Sequence, residues 1–278
     1  MRPTPRNRKN IIYGILLLLF GYLLFCLLAF FLQRQLIYHP LRSISGTPGD
    51  IGLTFQEHLL SSPDGVEFPV WEIPSVGNLQ VVFFHGNAEN ISQNLDTYQI
   101  LHDLGATVWA VEYRGYLTAG GTPSETAIGT DLQTLSDFLN ARLDREGGNR
   151  LIVMGRSLGG AVAAAFAAQE PCDGLILEST FTSIKAIASR TFFWLPVGLI
   201  LRERYDTESR LEQIDCPILV VHSRDDGLIP FSMGESLAQS AKQLAGLVEI
   251  SGPHNGGFLQ SRAQYVAGLE SYFAELRR

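Results

Sequence analysis

The chain is poor in the residues that build metal and redox centres: Cys26, Cys172 and Cys216 are its only cysteines in 278 residues. They show neither the short paired spacing of a zinc site nor the density of a disulfide scaffold, so no metal and no cofactor are expected. Basic residues are also scarce, 21 Lys and Arg against 28 Asp and Glu. With a formal net charge of −7 and no basic stripe beyond the N-terminus, the composition argues against a nucleic-acid-binding surface. The chain has no HExxH, no Walker phosphate loop and no GxGxxG after a strand, which removes the usual support for a metalloprotease, a nucleotidase or a dinucleotide enzyme. It also lacks internal repeats and low-complexity tracts. The length fits a single filled core with a short appendage.

One apolar run is long. From Ile11 to Leu32 no charge interrupts about twenty residues, which at ~1.5 Å per residue matches a hydrocarbon layer ~30 Å thick. This predicts a transmembrane anchor over 11–32. A cleaved signal peptide has a shorter apolar region, ~7–15 residues, closed by a small-x-small site, whereas this run ends Ala29-Phe30-Phe31-Leu32. Cys26 does not fit lipoprotein processing, because Phe25 before it is bulky. Arg2, Arg6, Arg8 and Lys9 crowd the N-terminal flank, while Arg34 and Arg42 are sparser beyond the run. Positive-inside bias therefore makes 1–10 a cytoplasmic basic tail and puts the remainder in a periplasm, an exterior or a lumen. Residues 33–52, broken by Pro40, Gly46, Pro48 and Gly49, read as a juxtamembrane linker, and 53–278 as the folded domain.

In that domain short apolar runs alternate with stretches of helical period: Leu79 to Phe84, Thr107 to Val111, Leu151 to Met154, Leu175 to Leu177, Ile218 to Val221 and Leu247 to Ile250. Runs such as VVFF, LIVM and ILVV lack polar alternation, as parallel strands covered by helices on both faces do. The expected fold class is α/β, a mostly parallel sheet with right-handed crossovers. Glu57 to Ile73, with Pro63-Asp64-Gly65 in its middle, reads as an antiparallel hairpin at the start of the sheet.

Directly after LIVM stand Gly155-Arg156-Ser157-Leu158-Gly159 and then the Ala-rich stretch 160–168, a strong helix former. Strand, tight turn and helix around GxSxG lift a serine hydroxyl clear of a sheet, because only small residues fit two places either side of it. Ser157 is the candidate nucleophile. In such folds the acid and then the histidine follow the serine along the chain. His254, in the loop SGPHNGG after the last strand, is the candidate base. His39, His58 and His102 read as ordinary surface or linker residues. The acid is expected on the loop after the ILVV strand, where Asp225 and Asp226 are neighbours. Glu178, ending the LILES strand, is a third candidate, since some hydrolases carry their acid there, but it reads first as a structural carboxylate capping the next segment. Donors for an oxyanion are expected from the backbone N–H of Leu158 and from the loop His85-Gly86-Asn87-Ala88, with Asn87 as the second donor. His85 is expected to be structural, and Asn90 to cap the helix running to Leu104.

Taken together, HGNAEN, EYRGY with PSE, GRSLGG, ESTFTS, HSRDDGLIP and GPHN resemble the membrane-anchored α/β-hydrolase subfamily that includes eukaryotic protein depalmitoylases and many bacterial hydrolases. The resemblance runs from about Leu36 to the C-terminus. In that family the acid lies four residues before a proline, which selects Asp226 over Asp225 and implies the triad Ser157, Asp226 and His254 with the Asn87 and Leu158 amides as oxyanion hole. Two residues depart from the pattern: Leu117 stands where a glycine is usual after YRGY, and Ser223 where HG is usual.

The chemistry implied is acyl transfer from an ester or thioester through an acyl-enzyme. A serine exopeptidase, and a silent membrane-tethered binding protein on the same scaffold, are the alternatives. The expected partners are a small-molecule or acylated substrate and a lipid bilayer through 11–32. A short helical cap is expected over about 179–211, where Thr191 to Leu201 form an apolar run between Arg190 and Arg202. Phe192, Phe193 and Trp194 in it are expected either to line an acyl-chain pocket or to dip into a membrane surface. Cys172 and Cys216 each precede a strand; a bridge between them requires Cα atoms within ~7 Å.

Overall fold

The computed structural model describes residues 5–277, with the side chains of 5–8 left aside. Residues 1–4 of the basic tail, and the side chains of Arg6 and Arg8, thus lie outside the described residues. Helix α1 (Pro5–Ile37) is longer at both ends than the apolar run, since nothing in Gln33 to Ile37 breaks a helix before Pro40. It is the one described helix long and apolar enough to cross a membrane.

The domain is an eight-stranded sheet in the order β1-β2-β4-β3-β5-β6-β7-β8. The hairpin β1 (Gln56–Ser61) and β2 (Glu67–Ile73) is antiparallel and adds to β4 (Ala106–Val111) antiparallel. From β4 onward, β3 (Leu79–Phe84), β5 (Arg150–Arg156), β6 (Gly174–Glu178), β7 (Ile218–Ser223) and β8 (Leu244–Ile250) all run parallel. The apolar runs are central strands because every residue of β3, β4, β6 and β7 is buried, on both faces at once. Val82 and Phe84 face a core closed by α3 (Glu125–Arg142), α4 (Leu158–Ala167), α7 (Thr207–Leu211) and α8 (Phe231–Ser240). Val81 and Phe83 face a second core closed by α2 (Leu95–Asp103), α9 (Gly257–Gln260) and α10 (Arg262–Leu276). The cap consists of α5 (Ile184–Thr191) and α6 (Val197–Ile200) and the turns around them.

Several local expectations are corrected. Residues 33–45 are no free linker. Tyr38 is buried, its hydroxyl bonded to Glu203 and Tyr205, and Asn90 donates to the carbonyls of Leu41 and Ser43. The segment is tied down because it carries hydrogen-bonding backbone that the domain satisfies. Asn90 caps only the 3₁₀ turn Ile91–Gln93, and α2 starts afresh at Leu95. His58 is not a surface residue: it is buried on β1, paired with Glu72 at 2.7 Å and packed on Trp109 and Phe138. Glu178 caps nothing; it is the buried counter-ion of Arg156, with Nε–Oε1 at 2.7 Å, and accepts from the Tyr265 hydroxyl at 2.9 Å. Leu117 has φ of 41°. A left-handed backbone is what a glycine would adopt there without strain, so the departure from the family pattern falls on a position with a steric reason for glycine.

Candidate active site

Ser157 sits between β5 and α4 with φ 55° and ψ −120°, a conformation costly for a residue with a Cβ. The surroundings hold it there. Its N–H donates to Glu178 O at 2.9 Å, and its carbonyl accepts from Thr180 Oγ1 at 2.6 Å and from the Gly160 N–H at 3.0 Å. A side chain on Gly155 would run into the Gly159 backbone, and one on Gly159 into the carbonyls of Phe84 and His85, so the small residues of the turn are required by close approach. Arg156, within the same turn, points away into the core. There it pairs with Glu178, donates to Asn94 Oδ1 and Thr97 Oγ1, and lies 4.0 Å over the Phe258 ring.

His254 reaches Ser157 from the far end of the sheet. Its Nε2 accepts from Ser157 Oγ at 2.9 Å and its Nδ1 donates to Asp226 Oδ2 at 2.7 Å. The other oxygen of Asp226 accepts the N–H groups of Leu228 and Ile229, each at 2.8 Å. Burial works to raise this carboxyl, but the His254 bond and the two amides outweigh it and hold it below the ordinary carboxylate range. Asp225 points elsewhere: its Oδ2 accepts the Gly252 N–H at 3.1 Å, which braces the histidine loop. Ser223, which sequence reasoning noted only as a departure, does the same from the strand end, donating to Gly252 O at 2.6 Å. Both loops are therefore cross-tied, and no motif in the sequence marks that role. His222 lies behind Asp226, Nε2 bonded to Ile229 O at 3.0 Å; burial lowers its pKa and keeps it neutral.

The loop after β3 lies against Ser157, since a Cβ on Gly86 would come within 3.4 Å of Ser157 Cβ. Glu89 takes the Gly86 N–H, while among the described residues the Asn87 and Leu158 N–H groups have no protein acceptor. Asn87 has a second task. Its side chain donates to Ile37 O at 2.5 Å and accepts from His39 N at 3.0 Å and Tyr116 Oη at 2.8 Å, tying the loop to the end of α1. His85 is fully buried between Gly86 O at 2.7 Å and Glu112 Oε1 at 2.8 Å. Burial lowers its pKa, but the charge and hydrogen bond of Glu112, with the Glu89 charge and the Gly86 carbonyl, together outweigh that and raise it overall.

A cavity of about 470 Å³ opens beside Asp226, lined by Ile187, Arg190 and Thr191 of the cap and by Leu228, Phe231 and Met233. Phe192, Phe193 and Trp194 do not line it. They are exposed, and Trp194 packs against Phe25 of α1 in a tilted arrangement with ring centroids 5.3 Å apart. Among the described residues no cluster of His, Cys, Asp or Glu could hold a metal ion. Cys172 and Cys216 are free thiols with Sγ atoms 3.0 Å apart, at the opposite end of the strands.

Comparisons with known proteins agree with this architecture. Residues 78–202 match the family model described as serine aminopeptidase, S33. The α/β hydrolase domain-containing protein WAV2 of Arabidopsis thaliana is 31% identical, over 88% of this chain and 90% of that protein. Lysophosphatidylserine lipase ABHD12 of Rattus norvegicus is 30% identical over 68% of this chain, which spans 57% of the lipase. Among solved structures, an esterase of Pyrococcus furiosus superposes with a TM-score of 0.71 at 18% identity, covering 86% of this chain and all (100%) of the esterase. With its fold, its sheet order and a near full-length relative of that kind, the chain belongs to the α/β-hydrolase family.

Proposed function

We propose that the chain is a membrane-anchored serine hydrolase that cleaves carboxylic ester or thioester bonds of acylated, lipid-like substrates. The observation that carries this reading is the unbroken hydrogen-bond chain from Ser157 through His254 to Asp226. Ser157 Oγ attacks the carbonyl carbon while its proton passes to His254 Nε2, and the Asn87 and Leu158 N–H groups receive the oxyanion. Collapse of the tetrahedral species expels the alcohol or thiol, protonated by His254, and leaves an acyl-serine. Water, deprotonated by the same imidazole, then releases the acid. The negative charge of Asp226 stabilises the imidazolium formed in each half.

An acyl chain fits the apolar part of the cavity, Ile187, Leu228, Phe231 and Met233, each buried methylene contributing ~0.8 kcal/mol. Medium and long acyl groups should therefore outperform acetyl. Helix α1 anchors the enzyme with its N-terminus in the cytoplasm and the catalytic domain outside it. An exopeptidase would share the triad and the family model matched by residues 78–202. The test is Ser157→Ala in the full-length protein: labelling by a fluorophosphonate probe and hydrolysis of an ester series of rising chain length should both disappear. Labelling that persists, or a series in which acetyl is best, refutes the corresponding half of the reading.

A further inference from the structure

The apolar run of the cap and the membrane helix form one surface. Among the described residues, Lys9 to Gly21 of α1 are exposed and make no hydrogen bond to the domain; contact begins at Tyr22, whose hydroxyl donates to Trp194 O at 2.9 Å. From there to the end of α1, Cys26, Ala29, Phe30, Gln33 and Ile37 form the partly covered face. The free stretch is about 13 residues, or ~20 Å of helix, against ~30 Å of hydrocarbon. The next ~10 Å of bilayer must therefore be filled by the part of α1 that the cap already touches. Over that same length the cap is apolar and outward-facing, with Phe193 84% and Leu199 86% exposed.

The polar groups fall where this placement needs them. Gln33 bonds Ile200 O and Arg34 pairs with Glu203, which fixes the water-facing end of the contact, and Arg202 lies over the Phe30 ring. Phe25, which Trp194 packs against, is eight residues nearer the N-terminus than Gln33, so Trp194 lies ~12 Å below that polar level. In hydrocarbon an unpaired carbonyl is costly, and the Tyr22 hydroxyl supplies the partner for Trp194 O while losing its own exposed donor. The turns around it are also internally bonded, Leu195 N to Phe192 O and Leu199 N to Pro196 O.

We infer that Phe192, Phe193, Trp194 and Leu199 form a ledge inserted among the acyl chains of the non-cytoplasmic leaflet, alongside α1. This rests on the proposed reading of α1 as a membrane span. Its consequence for the site is direct. Thr191, which lines the cavity beside Asp226, immediately precedes the ledge, so the cavity mouth is held at the leaflet surface and a lipid can reach it without leaving the bilayer.

The test uses the full-length protein reconstituted into phosphatidylcholine vesicles whose chains are brominated at mid-length, with plain vesicles as reference. Trp71 and Trp109 are buried in the core, so the emission lost on Trp194→Phe reports the ledge alone. That difference emission should fall by half or more in bromolipid, while the Trp194→Phe protein is little quenched. Vesicle flotation is measured on the same samples. A protein that floats but whose Trp194 emission is unquenched overturns the ledge and leaves the anchor standing; a protein that does not float overturns both.

Discussion

Replacing Asp226 by Asn should disable the enzyme while leaving its fold intact. One oxygen of Asp226 accepts two backbone N–H groups, from Leu228 and Ile229, and the other accepts His254 Nδ1. An asparagine has a single acceptor oxygen, and two amide donors outcompete one imidazole for it. The NH2 group then faces His254 and can only donate to Nδ1. That forces the imidazole proton onto Nε2, the atom that must receive the Ser157 proton, and the base is blocked. A wrong tautomer in such a triad lowers kcat about 10⁴-fold, equivalent to ~5 kcal/mol of transition-state stabilisation. Asp225→Asn meets a different fate, because its amide oxygen can still accept the Gly252 N–H; its kcat should stay within about tenfold of wild type. Both are measured as kcat on a soluble short-chain ester, with circular dichroism confirming the fold. Equal losses in the two variants, or an Asp226→Asn enzyme within tenfold of wild type, would refute the reasoning.

Glu178→Gln should cost about 3–5 kcal/mol in chemical denaturation, since it strands the buried Arg156 guanidinium, whereas a loss under 1 kcal/mol would show that Asn94 and Thr97 suffice for it. The depressed Asp226 carboxyl contributes stability that is present above the unfolded-state carboxylate pKa, about 4, and is lost as pH falls through its lower folded value. Wild type should therefore lose stability below pH ~4 more steeply than Asp226→Asn; parallel acid melts would contradict this. A disulfide oxidant such as oxidised glutathione, itself reduced to two thiols, should bridge Cys172 and Cys216 and leave one titratable thiol in the unfolded protein. Closing the 44-residue separation would stabilise the fold by about 4 kcal/mol on chain entropy, and three thiols surviving oxidation would rule the bridge out. A reporter fused after Arg278 should be active only outside the cytoplasm; cytoplasmic activity would invert the orientation.

The sequence alone determined what depends on local pattern. Unbroken apolar runs marked the central strands, because a strand covered on both faces has no polar alternation to show. GRSLG between a strand and an Ala-rich stretch marked the tight turn at Ser157, and an uncharged run of bilayer length marked α1. Only the tertiary structure decided what depends on pairs far apart in the chain. Two adjacent aspartates are equivalent in local pattern, and only the family resemblance preferred Asp226; physically their surroundings separate because Leu228 and Ile229 orient one toward His254 and Gly252 captures the other. Glu178 could not be assigned until Arg156 was seen beside it, nor His58 until Glu72, Trp109 and Phe138 closed over it. The destination of Phe192, Phe193 and Trp194 was likewise open, since an apolar run carries the same periodicity whether it lines a pocket or lies along a membrane helix. Trp194 meets Tyr22, 172 residues away, by a contact that no local pattern encodes.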